Sequence, residues 1–283
     1  MTVDHSEPTL IVENCIDYRG LTLNYAEGPR SGPPLLLLHG TANSWQAFTP
    51  LLPHLTERWH VYALDHRGHG GSGRAKEYGF GFYYGDAVGF AEEVIGEPTV
   101  VFGHSLGGRI ALKMAADAPS STRAIILGDS SLSPPRPNPG MGGGFTELAK
   151  TIEENVTVKE IYEALRDRAG EGFDPVKGLT RAKNLSKADP LMLRSIAEHM
   201  ADLDSPYSNF HGYDPDELLP RVRCPTLILQ AEKGMLSDEE VEKALNILPE
   251  AYHVKLAGMP HEFLAEQTEP VLRAVTVFLD TLR

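Results

Sequence analysis

Short runs of consecutive apolar residues alternate with amphipathic stretches through the first half of the chain. Leu35 to Leu38 form one such run, closed by His39 and Gly40, and predict a strand over 34–39 that is buried on both faces. Similar runs predict strands over 60–64, 99–102 and 123–127. Between them, 44–59 carries Trp45, Phe48, Leu51, Leu52 and Leu55 at helical spacing, with Pro50 and Pro53 making its start irregular. A second helical stretch falls at 86–95. A third, 105–118, puts Leu106, Ile110 and Met114 on one face and stops at Pro119. Strands alternating with helices predict a parallel sheet built from βαβ units. Residues 10–25 predict an antiparallel edge hairpin.

The alternation then breaks. Eight of the fifteen residues in 130–144 are Pro or Gly, a composition that opposes regular structure. Helical periods follow: Phe145, Leu148, Ala149, Ile152 and Val156; then Val158, Ile161, Tyr162 and Leu165; then Leu193, Ile196, Ala197, Met200 and Leu203. Afterwards strands over 226–230 and 252–256 alternate with helices over 238–248 and 271–282. Ser237 and Glu240 form a capping-box pattern before the first of these helices, and Pro270 opens the second. The predicted organisation is an α/β core in two parts, 1–131 and 217–283, interrupted by an all-helical insertion at 132–216.

Composition narrows the partners. The 283 residues carry 26 Lys plus Arg against 39 Asp plus Glu, a net charge of −13, with no basic run. Nucleic acid and anionic membrane surfaces are therefore not expected partners. The two cysteines, Cys15 and Cys224, fit neither a disulfide framework nor a metal site, and no metal or other cofactor is expected. No apolar run approaches the roughly 20 residues of a membrane helix, and the polar start of the chain lacks the apolar core of a signal peptide. A cytoplasmic location is the expectation.

The chemistry centres on Gly103-His104-Ser105-Leu106-Gly107, a Gly-x-Ser-x-Gly pattern followed by Gly108. Its context, strand before and amphipathic helix after, lifts the serine hydroxyl onto a sharp turn at a helix N-terminus. A serine needs a base to become nucleophilic, so one of the eleven histidines must reach it.

Three motifs in order, His39-Gly40, Asp65-His66-Arg67-Gly68-His69-Gly70 and Gly103 to Gly108, resemble those of the α/β-hydrolase fold. The resemblance covers 10–131 and 217–283, with the insertion where that family carries its cap. It implies a mostly parallel eight-stranded sheet and an active site between core and cap. The base it implies is His261, just beyond the last strand, rather than His253 within that strand or His211 in the loop leaving the insertion. Many family members carry the acid after strand seven as Gly-x-x-Asp; here Lys233 occupies that place, beside Glu232. A subset places the acid after strand six, where this chain has Asp129. Asp129 is the first candidate acid and Glu232 the alternative. The implied oxyanion donors are the backbone N–H groups of Thr41 and Leu106. Trp45, Phe48, Phe145 and Phe263 are candidate pocket-lining residues, along with Met141 and the aromatics of 79–84.

Together these features predict a cofactor-free serine hydrolase that cleaves a small or medium carboxylic ester or lactone through an acyl-enzyme. Two alternatives remain open: a carbon–carbon bond hydrolase of the meta-cleavage product type, and a slow-turnover, ligand-sensing relative.

Overall fold

The computed structural model describes residues 11–136, 142–265 and 268–282, apart from the side chains of Ala265 and Thr268. Eight strands form one sheet: β1 Val12–Tyr18, β2 Leu21–Glu27, β3 Pro34–Leu38, β4 His60–Leu64, β5 Thr99–His104, β6 Thr122–Gly128, β7 Thr226–Lys233 and β8 Ala251–Pro260. Their order is β1-β2-β4-β3-β5-β6-β7-β8. The β1–β2 and β2–β4 pairs are antiparallel, and every later pair is parallel. The sequence-predicted edge hairpin is thus present, and the predicted strands match in place, with β5, β7 and β8 running further than their apolar runs.

Residues in β3 show why the middle strands read as unbroken apolar runs. Leu36 and Leu38 enter the hydrophobic core on one face, while Leu35 and Leu37 enter that on the other. Helices α1 (Leu52–Leu55), α2 (Phe80–Phe90), α3 (Leu106–Asp117), α4 (Gly142–Glu154), α5 (Val158–Ala169), α6 (Pro175–Leu185), α7 (Pro190–His199), α8 (Pro215–Leu218), α9 (Asp238–Ile247) and α10 (Thr268–Thr281) complete the fold. Residues of α2, α3 and α9 join the first core. Residues of α1 and α10 join the second.

Several helices differ from the sequence expectation. The stretch 44–59 is two short pieces, a 3₁₀ turn over Trp45–Phe48 and the four-residue α1, because Pro50 and Pro53 break the hydrogen-bond ladder. Helix α2 starts at Phe80 rather than 86, burying Phe80, Tyr83, Ala87 and Phe90, and its final turn is π-helical over Ala91–Ile95. Helix α4 begins inside the Gly-rich run. A Cβ on Gly142 would lie 2.6 Å from the Ala197 carbonyl of α7, so the missing side chain lets the two helices approach closely.

Five helices, α4 to α8, lie between β6 and β7 among the described residues; the four-residue α8 was not expected, nor was α6. Its buried face is made of small residues, Gly178 and Ala182, with Leu185, which gives little hydrophobic period. A better signal lies at its start. Helices α6, α7 and α8 each begin with Asp-Pro, and Asp174, Asp189 and Asp214 each accept the N–H two residues onward. The predicted capping box at Ser237 and Glu240 forms, and a second one occurs at Thr157 and Glu160. Among the described residues no helix is long and apolar enough to cross a membrane.

Candidate active site

The ends of β3, β5, β6 and β8 converge at the carboxyl edge of the parallel strands, where open α/β sheets build their clefts. Ser105 sits between β5 and α3 with φ 52° and ψ −111°, a strained conformation for a side-chain-bearing residue. Only glycines permit the turn. A Cβ on Gly103 would lie 2.0 Å from the Gly107 carbonyl oxygen, and one on Gly107 would lie 2.0 Å from the Leu38 carbonyl oxygen. The turn is tied down by the Ser105 N–H to the Gly128 carbonyl at 2.9 Å and by the Ser130 hydroxyl to the Ser105 carbonyl at 2.9 Å.

His261 follows β8 and turns its ring back toward this elbow. Its Nε2 is 3.1 Å from Ser105 Oγ, and its Nδ1 is 2.6 Å from Asp129 Oδ2. An ionised carboxylate only accepts, so Nδ1 carries the proton and Nε2 offers its lone pair to the serine hydroxyl. His104, the residue before Ser105, donates from Nε2 to the His261 carbonyl at 2.8 Å.

Asp129 follows β6, is fully buried, and has φ 43°. Burial is the largest influence on its carboxyl and pushes it up. The His261 hydrogen bond, the amides of Met235 and Leu236 and the field of His261 outweigh burial, so the group stays below the ordinary carboxylate value. Three amides of the β7 end surround it: Ala231 N and Leu236 N reach Oδ1 at 3.2 and 3.3 Å, and Met235 N reaches Oδ2 at 2.8 Å. Glu232, the alternative acid, is exposed and accepts the Gly258 N–H. It is not brought to His261. His253 binds Gln230 Oε1 at 2.9 Å, and His211 is exposed.

Residues 40–43 form a tight turn over the elbow, closed by Asn43 N to Gly40 O at 3.3 Å. A Cβ on Gly40 would lie 3.2 Å from the Ser105 Cβ, so this turn rests on the Ser105 side chain. Thr41 is half-buried inside it, and Leu106 is the first residue of α3. Three buried histidines brace the turn. His39 takes the His66 N–H on Nε2 at 3.1 Å and donates from Nδ1 to the Gly40 carbonyl at 2.7 Å. His66 donates from Nε2 to the His39 carbonyl at 3.0 Å. His69 accepts the Ala42 N–H at 3.1 Å and donates to the Arg67 carbonyl at 2.9 Å. Burial holds all three neutral, lowering His39 well below its usual value, His66 to about 3 and His69 to about 4. Asp65 anchors the same loop through the N–H groups of Trp45 and Gly71 and the Asn24 amide.

The aromatic candidates for pocket lining divide. Phe48 is fully buried in the second core, edge-on to Phe102, and Phe263 is fully buried with its ring perpendicular to His104. Both are core residues: their rings are enclosed by neighbours rather than left facing a substrate. Trp45 reaches away, donating its indole N–H to Glu13 on β1 at 2.6 Å. Phe145 on α4 is half-buried against the first core. In the 79–84 run, Phe80 and Tyr83 are fully buried. Met141 lies outside the described residues.

Sequence reasoning did not single out Ser130, Gly234 or Asn184. Gly234 has a geometric reason: a Cβ there would lie 2.1 Å from Asp129 Oδ2, so only glycine lets the β7 loop close on the carboxylate. The amides that hold Asp129 are main-chain groups and leave no side-chain signature.

A profile of the alpha/beta hydrolase fold matches residues 33–268. A 2-(acetamidomethylene)succinate hydrolase of Mesorhizobium japonicum is 27% identical over 277 residues, covering 94% of each chain. A pimeloyl-[acyl-carrier protein] methyl ester esterase of Nitrosospira multiformis is 27% identical over 259 residues, 85% of this chain and 95% of that one. The solved enol-lactonase of Burkholderia xenovorans superposes with a TM-score of 0.75 at 17% identity, covering 94% of this chain and 100% of that one. With the match running from the strand before the first glycine turn into the last helix, the chain belongs to the alpha/beta hydrolase fold family.

Proposed function

We propose that this hydrolase opens a carboxylic ester or lactone through a Ser105 acyl-enzyme. The observation that carries the reading is the 3.1 Å separation of Ser105 Oγ and His261 Nε2, with Asp129 Oδ2 2.6 Å from the opposite ring nitrogen. His261 takes the hydroxyl proton as Oγ attacks the acyl carbon, and Asp129 stabilises the imidazolium. The N–H groups of Thr41 and Leu106 receive the oxyanion, helped by the α3 N-terminus. When the tetrahedral intermediate collapses, His261 passes its proton to the leaving alkoxide and the alcohol departs. His261 then takes a proton from water, whose oxygen attacks the acyl carbon; as this second intermediate collapses, His261 returns the proton to Ser105 Oγ and the carboxylic acid is released.

A second reading moves the same attack to an acyl carbon bonded to nitrogen. The relative that matches along 94% of both chains is named for an acetamido compound, and a methyl ester esterase matches at the same 27% identity. The two readings differ only in the leaving atom.

Labelling with a fluorophosphonate and turnover of short-chain p-nitrophenyl esters test the reading. Wild type should label and turn over repeatedly, and Ser105→Ala should do neither. Labelling that persists in Ser105→Ala would remove this serine as nucleophile. A single burst without turnover would favour a ligand sensor. Faster cleavage of N-acyl enamides than of esters would favour the second reading, and cleavage of vinylogous diketones alone would favour carbon–carbon chemistry.

A further inference from the structure

The turn over Ser105 is held from outside the core. Ala42 sits at φ 59°, a left-handed conformation that costs a non-glycine residue of order 1 kcal/mol or more and persists only where its surroundings enforce it. On the core side, His69 receives the Ala42 N–H. On the other side is Asn184, near the end of α6. Its Nδ2 donates to Asn43 Oδ1 at 2.8 Å, and its Oδ1 accepts the Ser44 hydroxyl at 3.0 Å. Asn43 Oδ1 also takes the Ser44 N–H at 3.0 Å, so one amide of the inserted helices closes a polar ring on the last residue of the turn and the one after it.

The corner that carries Asn184 is itself pinned. Asp189 donates its N–H to the Gly68 carbonyl at 2.9 Å and accepts the Tyr78 hydroxyl at 2.6 Å. The α6–α7 corner therefore touches the 40–44 turn and the 65–78 loop together. Ser44 is 1% exposed, so its hydroxyl would be left unsatisfied if Asn184 withdrew.

We propose that Asn184 is a positioning residue: its two hydrogen bonds orient the 40–43 turn, so that seating of the inserted helices aligns the Thr41 N–H toward the oxyanion. This deepens the hydrolase reading above and rests on it. The reaction then runs at full rate only with α6 docked, because an N–H aimed a fraction of an ångström away stabilises less of the charge that develops on oxygen.

The test uses the full-length protein and needs no knowledge of the natural substrate. Fluorophosphonate labelling of Ser105 and p-nitrophenyl acetate hydrolysis are followed in Asn184→Ala, Asn43→Ala, the double variant and Tyr78→Phe. Losing one oxyanion donor costs about 10²–10³ in kcat, and misaligning one should cost a part of that. Asn184→Ala and Asn43→Ala should each slow labelling and lower kcat by about tenfold, with KM changed less than about twofold. The double variant should be no slower than either single one. Tyr78→Phe cuts one tie of the same corner while the Asp189 N–H to the Gly68 carbonyl remains, so it should lower the melting temperature and slow labelling less than Asn184→Ala does. Asn184→Ala labelling at the wild-type rate, or additive losses in the double variant, would overturn the proposal. A wild-type protein that fails to label would instead strike the hydrolase reading on which it rests.

Discussion

Gly234 lies against the Asp129 carboxylate so closely that a Cβ would come within 2.1 Å of Oδ2 and 2.4 Å of Oδ1. The β7 loop thereby reaches its amides around a side chain that another strand supplies. Gly234→Ala should push the loop outward and lengthen the hydrogen bonds from Met235 and Leu236. Charge-assisted bonds of this kind contribute about 1.5–3 kcal/mol each, so a fall in kcat of at least about tenfold is expected. Steady-state ester kinetics, with circular dichroism to verify folding, would detect it. Unchanged kcat would mean that the amide cradle does not matter for turnover.

The two candidate acids make opposite predictions. Asp129→Asn keeps the shape but removes the charge and the preference for the Nδ1–H tautomer, so kcat should fall by about ten-thousandfold. Glu232→Gln should stay within about twofold, since an exposed carboxylate bound to one amide has little to lose. Measuring both variants on one ester decides the matter, and the reverse ranking would move the acid to β7.

Acid should unfold the protein early. His39, His66, His69 and His104 are all lowered, by burial first, and stay neutral when folded. Unfolded histidines bind protons below about pH 6.5, so the unfolded state gains protons and stability falls as pH drops from there. Each histidine contributes up to about 1.4 kcal/mol per pH unit across that window. Asp129, lowered in the fold, adds a loss of the same sign below about pH 4. Asp65 and Asp86 are raised by burial and act in the opposite sense, stabilising as they protonate. The histidines outnumber them, and urea unfolding should show lower stability at pH 5 than at pH 7. A flat profile would mean that these rings accept protons in place.

Arg67 and Asp86 form a bidentate pair, both bonds at 2.6 Å, with side-chain exposures of 14% and 2%. Arg67→Ala should cost about 3–5 kcal/mol by stranding a buried carboxylate. The double change Arg67→Met with Asp86→Leu should recover much of that loss, as judged by denaturant midpoints. An Arg67→Ala protein as stable as wild type would show that water already compensates Asp86.

Much of the scaffold was legible because burial on both faces leaves uninterrupted apolar runs, as in Leu35 to Leu38. The helices were read less well, where their buried faces are small or aromatic: Gly178 and Ala182 in α6 carry almost no hydrophobic period, and Phe80 and Tyr83 in α2 resemble strand residues. At the site, motif context singled out Ser105 and the family resemblance pointed to His261, and the structure brings them to 3.1 Å. The choice between Asp129 and Glu232 depends on which strand end faces the imidazole, a long-range relation that spacing along the chain does not encode. Phe48 and Phe263 had the right residue type for a pocket, but they point into the layer beneath the sheet. Asn184 was invisible for a similar reason: its partners, Asn43 and Ser44, are about 140 positions away and carry no pattern of their own.

The carboxylate on Asp129 departs from the point where the chain leaves the sheet for the inserted helices, yet its grip comes from the far side, from main-chain amides at the end of β7 and in the loop after it. Any residue but proline can supply an amide N–H, so the sequence of that loop is otherwise free to drift so long as glycine stays at 234. Inserted helices of a different size would leave that grip untouched, but they would have to rebuild the Asn184 bonds to Asn43 and Ser44. A new lid on such a scaffold inherits the carboxylate's setting unaltered and must supply one amide contact of its own.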